Sequence, residues 1–376
     1  MEKKSTPYLP SELIIEILLR LPVKSLIRYK SVCKSWFTLI SNPNFANSHF
    51  HSSEATQSRR ILSISAIPPQ FRSIDFQALL NNHSTSSNPN LSLPQFYFPL
   101  RIGGSCRGFI FLNCSTYYYI WNPSTGFCKK VVLSPFDYSF CSYLYGFGYD
   151  HSRDDYTVVS LSCDDNSSYL KIFSLRGNTW KQIEDPPLRY KRAYNCPKVG
   201  FFFNGAIHWF VTHRGSGVKV IVAFDLMERK LLEITIPTVF NNHYIEEFDL
   251  WVYGEFLSIW VMRNSIVEIW VMKEYKVGSS WAKTLVLPIG AIPYFSPIYS
   301  TKNGDIIGTI GGTGLVKYNG KGQLLGHCSY CDDPRGSQVV MYTESLLSLP
   351  DNNKQVYKDD TNKKNEVLKY SPTPFS

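Results

Sequence analysis

Paired cysteines near the C-terminal end of the chain have a spacing that could do chemistry. The segment CSYC separates Cys328 from Cys331 by two residues, as in zinc and redox sites, and His327 is adjacent. A tetrahedral zinc ion needs a second pair of ligands, and the sequence contains no second pair with this spacing. Because the nine cysteines are odd in number and scattered, we expect free thiols in a reducing compartment and no metal site.

Two glycine-rich segments could in principle hold a phosphate. The segment GTIGGTG at 308–314 is not followed by a predicted helix, which a dinucleotide-binding turn requires. In GLVKYNGKG, five residues instead of four separate Gly314 from Gly320, and Gly322 stands where a phosphate loop has Ser or Thr. We therefore predict no nucleotide cofactor.

Acid–base chemistry would need histidines or carboxylates in a recognisable arrangement. No serine, cysteine or carboxylate motif accompanies His208 and His213, so we expect packing or surface histidines. Asp154 and Asp155 lie in HSRDDYT, directly after Asp150, and this segment is typical of a solvated turn. The sequence predicts no catalytic residue, and we expect a protein that is not an enzyme.

Composition and charge limit the classes of protein to which this chain can belong. The chain has 376 residues, of which 44% are hydrophobic and 15% aromatic, so it can bury a large core. No apolar run approaches the roughly 18 residues of a membrane span. The formal charge of +9 is spread along the chain without a Lys/Arg cluster, so we expect neither a membrane nor a nucleic-acid partner. We expect the protein to be located in the cytoplasm, the nucleus or both.

The N-terminal segment LPSELIIEILLRLPVKSL predicts a helix that is apolar almost all round. Its charged residues Glu12, Glu16 and Arg20 are spaced by four and form one narrow stripe, and the helix should end before Pro22. Two more short helices follow, which gives a three-helix unit over residues 8–50. A unit near 40 residues usually needs a partner, so part of its apolar surface must meet another protein or the rest of the chain.

The pattern LPSELIIEILLRLPVKSLIRYKSVCKSWFTLISNPNF closely resembles the F-box, the helical module that docks onto the Skp-type adaptor of cullin-based ubiquitin ligases. The resemblance implies that the apolar surface is an adaptor-docking face. The residues assigned to adaptor binding are Leu9, Pro10, Ile14, Ile17, Leu18, Leu21, Pro22, Leu26, Val32, Cys33 and Trp36. For each of them the alternative is a position in the internal core, and for Val32 and Trp36 the two readings carry equal weight.

The rest of the chain has a sequence pattern typical of an all-β protein with an internal repeat. Strand-like runs begin after Gly108, Gly205, Gly254 and Gly304, at intervals of 97, 49 and 50 residues, and DDYTVVSLSC occupies the missing step near residue 156. A second series of aromatic residues recurs 52, 51, 46 and 48 residues apart, at Trp121, Phe173, Phe224, Trp270 and Tyr318. A period near 50 residues is the length of a propeller blade. Five blades are visible, and residues 59–76 with QVVMYTESLLSL could form a sixth.

Ordered motifs in this region resemble the type 1 F-box-associated domain of plant F-box proteins: CRGFIFL, IWNPSTG, YGFGYD, IFSLRGNTWKQI, FFNGAIHWF and EIWVMKEY. The predicted fold class is α+β, with a three-helix F-box before a kelch-like, all-β propeller of about six blades. We predict an extension (1–7), the F-box (8–50), a linker (51–60), the propeller-like domain (61–350) and a mobile charged tail (351–376).

The resemblance implies a non-catalytic substrate receptor of a Skp–cullin–F-box ubiquitin ligase, linked through the adaptor to the cullin and RING subunits. The propeller would bind a target protein and promote its ubiquitination and proteasomal degradation. No residue pattern singles out the target. Two alternatives remain at this point: an interaction module unrelated to ubiquitin, and a carbohydrate-binding propeller.

Overall fold

A computed structural model describes residues 10–52, 59–65, 70–76, 100–114, 117–132, 142–163, 168–183, 190–192, 199–241, 247–289, 295–331 and 336–350. The predicted N-terminal extension and charged tail lie outside the described residues, as do Leu9 and most of the predicted linker.

Four helices open the described chain, where three were predicted. They are α1 (Ser11–Leu19), α2 (Val23–Tyr29), α3 (Lys34–Ile40) and α4 (Pro43–Ser52). The prediction missed the break before Pro43, whose missing N–H suits the start of a helix. The side chain of Asn42 accepts a hydrogen bond from the Asn44 N–H at 2.8 Å, so Asn42 caps the new helix.

Six antiparallel sheets follow, and we number them as blades in chain order. Blade 1 contains β3 (Arg101–Cys106), β4 (Phe109–Cys114), β5 (Tyr117–Trp121) and β6 (Cys128–Val132); blade 2 contains β7 (Ser142–Asp150), β8 (Asp155–Cys163), β9 (Ser168–Ser174) and β10 (Thr179–Ile183). Blade 3 contains β11 (Tyr190–Arg192), β12 (Phe201–Phe203), β13 (Ala206–His213), β14 (Lys219–Asp225) and β15 (Lys230–Thr235).

Blade 4 contains β16 (Glu247–Tyr253), β17 (Phe256–Arg263), β18 (Ile266–Met272) and β19 (Trp281–Pro288); blade 5 contains β20 (Phe295–Ser300), β21 (Ile306–Ile310), β22 (Gly314–Tyr318) and β23 (Leu324–Ser329). Blade 6 combines β1 (Arg59–Ser65) and β2 (Phe71–Asp75) with the late strand β24 (Ser337–Thr343). The predicted α+β class with six blades is confirmed.

The two sequence repeats mark the second and third strands of the blades. Each repeated glycine lies in the turn before a second strand, as at Asn204 and Gly205, where both φ angles are positive, 46° and 73°. Asparagine and glycine tolerate this left-handed conformation better than other residues. The five repeated aromatic residues all lie in the strand that follows this second strand. In blade 3 that strand is β14, because β11 and β12 share the first position beside β13. One local geometry per blade therefore explains the repeat.

Blade 6 closes the ring with strands from both ends of the domain. Strand β1 pairs with β2 on one side and with β24 on the other, from Arg59 opposite Thr343 to Ser65 opposite Ser337. The predicted sixth blade is therefore confirmed, with three strands in the described residues. Blade 6 therefore packs against blade 1 through Leu62 and Ile110 and against blade 5 through Ile61 and Ile307.

The hydrophobic core of the propeller lies between neighbouring blades. Leu161 of blade 2 shares one buried cluster with Trp209 of blade 3, and Trp260 of blade 4 shares another with Phe295 of blade 5. The cluster between blades 1 and 2 also contains Leu18 and Leu26 of the helices. The helical unit and these two blades therefore share one core.

Candidate docking surface of the helices

Five large apolar or aromatic side chains of the described helical unit are exposed to solvent, and Tyr29 of α2, at 36%, is the least exposed of them. Leu13 and Ile17 of α1 are 47% and 52% exposed, and their separation by four residues puts them on one face of the helix. Val32, between α2 and α3, is 60% exposed, and Phe37 of α3 is 56% exposed. Side chains of this size cost free energy in water, so their exposure marks a surface on which a partner could dock.

The opposite side of the helices is buried. Leu18 and Leu26 have no exposed surface, and Val23, Ile40 and Phe45 are buried with them. This interior holds the helices in the arrangement that presents the exposed side chains.

Two prolines and an extended cysteine shape the outer surface. Pro10 precedes the first residue of α1, and Pro22 separates α1 from α2 in an extended conformation with ψ of 147°. Cys33 is also extended and precedes α3, so the chain turns at Val32 and Cys33 and leaves both exposed. Trp36 is half-buried and packs edge-on against Tyr29, with ring centroids 5.5 Å apart.

The predicted adaptor-binding residues therefore fall into different environments. Pro10, Ile17, Pro22, Val32 and Cys33 are exposed, Ile14, Leu21 and Trp36 are half-buried, and Leu18 and Leu26 are interior. Sequence reasoning did not select Leu13 and Phe37, although both are exposed. For Leu13 a signal was present, because it lies one helical turn before Ile17.

A C-terminal segment, residues 345–350, connects the helices to the propeller. Leu346, Leu347 and Leu349 are buried in the cluster shared by the helices and blades 1 and 2. The buried side chain of Asn122, from the motif IWNPSTG, donates to the carbonyl oxygens of Ser345 and Leu347, both at 3.1 Å. These bonds hold the segment on blade 1.

Helix α4 is fixed from both sides. The His49 ring nitrogen Nε2 donates to the Leu21 carbonyl oxygen at 2.8 Å, which ties α4 to the end of α1. On the propeller side, Arg107 donates to the Asn47 side-chain oxygen at 3.1 Å, and its guanidinium lies 4.9 Å from the Phe50 ring centre. The helices and the propeller are thus held in one relative orientation.

The residues considered for acid–base chemistry have structural partners. His208 is fully buried; its Nδ1–H donates to the Phe201 carbonyl oxygen at 3.1 Å, which leaves Nε2 to accept from the Tyr275 hydroxyl at 3.0 Å. Burial lowers the pKa of His208 to about 4, so the ring is neutral at physiological pH.

Asp150, Asp154 and Asp155 organise turns. Burial of Asp150 disfavours its charge, but hydrogen bonds from Ser152 and Arg153 and the nearby Arg229 charge outweigh burial and hold its pKa below the usual value. Asp155 accepts from the Arg176 N–H at 2.8 Å, and Asp154 forms an ion pair with the Arg176 side chain at 2.7 Å.

The remaining candidate sites can be located as well. Cys328 is half-buried and Cys331 is buried, and both are free thiols. Within the described ranges, no three His, Cys, Asp or Glu side chains are grouped so as to hold a metal ion. Of the helices that the structure describes, none is both long and apolar enough to span a membrane.

Comparison with known proteins identifies two family models in the chain. The model of the F-box associated beta propeller domain matches residues 57–305, and the model of the F-box domain matches residues 7–48. The chain is similar to the F-box/kelch-repeat protein At3g23880 of Arabidopsis thaliana, with 29% identity over 326 residues that cover 83% of this chain and 87% of that protein. It is also similar to the F-box protein CPR1 of Arabidopsis thaliana, with 26% identity over 376 residues, covering 90% and 88% of the two chains.

Proposed function

This chain belongs to the family of F-box proteins that carry an F-box-associated β-propeller domain, and on this basis we propose that it is the substrate-recognition subunit of a Skp–cullin–F-box ubiquitin ligase. The helices dock onto a Skp-type adaptor, which connects the chain to the cullin and the RING subunit, and the propeller binds a target protein. The chain itself is not catalytic. It raises the effective concentration of target lysines near the activated ubiquitin, which leads to ubiquitination and proteasomal degradation of the target.

The observation that supports this proposal best is the two-sided character of the helical unit. Leu18 and Leu26 fill the interior, whereas Leu13, Ile17 and Phe37 remain in water. We assign the adaptor contact to the exposed residues Pro10, Leu13, Ile17, Pro22, Val32, Cys33 and Phe37 and to the half-buried Ile14, Leu21 and Trp36. Leu18 and Leu26 support this surface from inside.

Strand direction distinguishes the two ends of the propeller. The helices and residues 345–350 lie at the end of the propeller where turns join first to second strands, at Arg107 and Asp154, and third to fourth strands, at Asn122 and Arg176. Arg107 bonds to Asn47 and Asn122 bonds to Ser345, and Asp154 and Arg176 line the same pocket as α4 and Leu347. In an antiparallel sheet these turns lie at one end, and the turns from second to third strands lie at the other. We propose that the target binds at the end opposite the helices, where it does not compete with the adaptor.

Exposed apolar positions permit a direct test of adaptor docking. We expect Ile17→Asp and Phe37→Asp each to reduce co-purification of the full chain with a Skp-type adaptor at least tenfold, because a carboxylate is costly to bury in an apolar interface. The matched control is Val286→Asp, which replaces a 47% exposed apolar side chain of the outer strand β19. All three variants should give the circular dichroism spectrum of the unaltered chain.

Full adaptor binding by folded Ile17→Asp and Phe37→Asp proteins would contradict the docking assignment. An equal loss in the Val286→Asp protein would show that added charge, not position, causes the effect.

We propose the cytoplasm or the nucleus as the site of action, since both maintain reduced thiols such as Cys33 and Cys106. Microscopy of a fluorescent fusion tests this; accumulation in the secretory pathway would contradict it.

A further inference from the structure

A pocket of about 350 Å³ lies at the junction between the helices and the propeller. Asn47 of α4 lines one wall, and Leu347 and Ser348 of the C-terminal segment line another. Arg107, in the turn between β3 and β4, and Tyr149 of β7 complete the pocket. Pockets of this size accept small organic molecules. Adaptor docking and target binding, as proposed above, do not use this pocket.

Arg107 is the best-positioned cation in this pocket. It lies in the turn between β3 and β4 with a φ of 50°, and its guanidinium stacks 4.1 Å from the centre of the Tyr149 ring and 4.9 Å from that of Phe50. Its Nε is buried without a hydrogen-bond partner, and within the described parts of the chain no ion pair joins Arg107 to a carboxylate. The rings hold the guanidinium plane in place, and no carboxylate among the described residues pairs with its charge.

The carboxylate that lines the pocket is already engaged by other groups. Asp154 receives a hydrogen bond from the Tyr149 hydroxyl on one oxygen and forms an ion pair with Arg176 at 2.7 Å on the other. The single negative charge of Asp154 therefore neutralises Arg176, and the positive charge of Arg107 remains in excess in this pocket. The positive charge also affects His151. Burial lowers the pKa of His151, and the charges of Arg107 and His51 lower this pKa further.

We propose that this junction pocket binds a small organic anion whose phosphate or carboxylate oxygens pair with the guanidinium of Arg107. A planar guanidinium offers two parallel N–H donors to such oxygens, and the flanking rings pre-orient it. A bound anion contacts α4, the propeller turns and the C-terminal segment together. It therefore stabilises the attachment of the helices to the propeller.

Calorimetric titration of the full-length chain with pyrophosphate and with citrate, at constant ionic strength, tests the pocket and separates the two anion types. We expect saturable binding of at least one probe at a single site, with a rise in the thermal unfolding temperature. Tighter binding of pyrophosphate assigns an organic phosphate, and tighter binding of citrate assigns a polycarboxylate.

Two variants and a control locate the binding. Arg107→Gln removes the cation, and Ser348→Glu adds a repelling carboxylate at an exposed position of the pocket wall without altering Arg107. We expect each to weaken binding at least tenfold. Arg20→Gln, at an arginine directly after α1 whose side chain is 82% exposed, should leave binding unchanged. Should Arg107→Gln fail to fold, Ser348→Glu decides the question.

The absence of saturable binding of either probe at millimolar concentration would overturn the proposal. Binding that survives either folded pocket variant, or that weakens equally in Arg20→Gln, would overturn it as well.

Discussion

At the scale of single residues, His208 makes folding depend on pH. Because the folded chain keeps this ring neutral with a pKa of about 4, while an unfolded histidine titrates near 6.5, the unfolded state binds more protons between these values. The contribution of His208 to stability is therefore complete above pH 6.5 and falls by roughly 3 kcal/mol as the pH drops towards 4. We expect His208→Gln to lower the free energy of unfolding at pH 7.5. Between pH 6.5 and 4, the free energy of unfolding of this variant should change less with pH than that of the unaltered chain, as measured by urea unfolding.

Comparison with the unaltered chain isolates this effect from other titrating groups, such as Asp249, whose pKa burial raises to about 7. The control is His51→Gln at an exposed position, which should keep the original slope. A His208→Gln protein with an unchanged slope would show that His208 is not the titrating group.

Residue type alone could not separate docking positions from core positions in α1. Ile17 and Leu18 are adjacent apolar residues, yet one is 52% exposed and the other is fully buried. The charged stripe of Glu12, Glu16 and Arg20 is too narrow to show which of the apolar residues around it meet the core. The choice depends on where α4 and residues 345–350 pack, and those contacts are long-range.

At the scale of elements, residues 345–350 decide how firmly the helices hold the propeller. A chain ending at Glu344 lacks Leu346, Leu347 and Leu349, each of which contributes about 1.5–3 kcal/mol when buried. We expect its α4 amides to exchange hydrogen for deuterium at least tenfold faster, as followed by mass spectrometry. A chain ending at Pro350 is the control and should keep the original protection. Equal protection in both truncated chains would mean that α4 does not depend on this segment.

The elements differ in how far the sequence could predict them. The strands of blades 1 to 5 follow from a repeat near 50 residues, because these blades share the turn before the second strand and the aromatic position in the strand after it. Helix α4 was missed because residues 41–45 read as the end of the preceding helix. The motif IWNPSTG was recognised, but the role of Asn122 was not, since its partner Ser345 lies 223 residues away.

At the scale of the whole molecule, the helices and the propeller share one hydrophobic core and form a single folded unit. Leu18, Phe109 and Leu347 belong to one buried cluster, so deletion of residues 1–50 would expose apolar surface on blades 1 and 2. Such a deletion would remove adaptor binding and damage the propeller at the same time, so the two effects could not be separated. Ile17→Asp removes only the proposed adaptor contact and is the better comparison for finding targets.

The fixed orientation also yields a prediction about the two ends of the propeller. We expect Ser216→Trp and Ser265→Trp, in exposed turns from second to third strands of blades 3 and 4, to reduce target capture. Glu228→Trp and Glu255→Trp, in exposed turns of the same blades at the end where the helices sit, should leave capture unchanged. All four variants place the same indole side chain in an exposed turn, so a difference between the pairs reports on position.

Proximity labelling under proteasome inhibition measures this capture, with the Ile17→Asp chain as background because it should hold targets without directing their degradation. Proteins labelled equally by both chains, but depleted only by the unaltered chain when the proteasome is active, are the targets. Because adaptor and target occupy opposite ends, the tryptophan variants should retain adaptor binding whatever they do to capture. Loss of targets confined to Glu228→Trp and Glu255→Trp would instead place the target beside the helices and refute the two-ended arrangement.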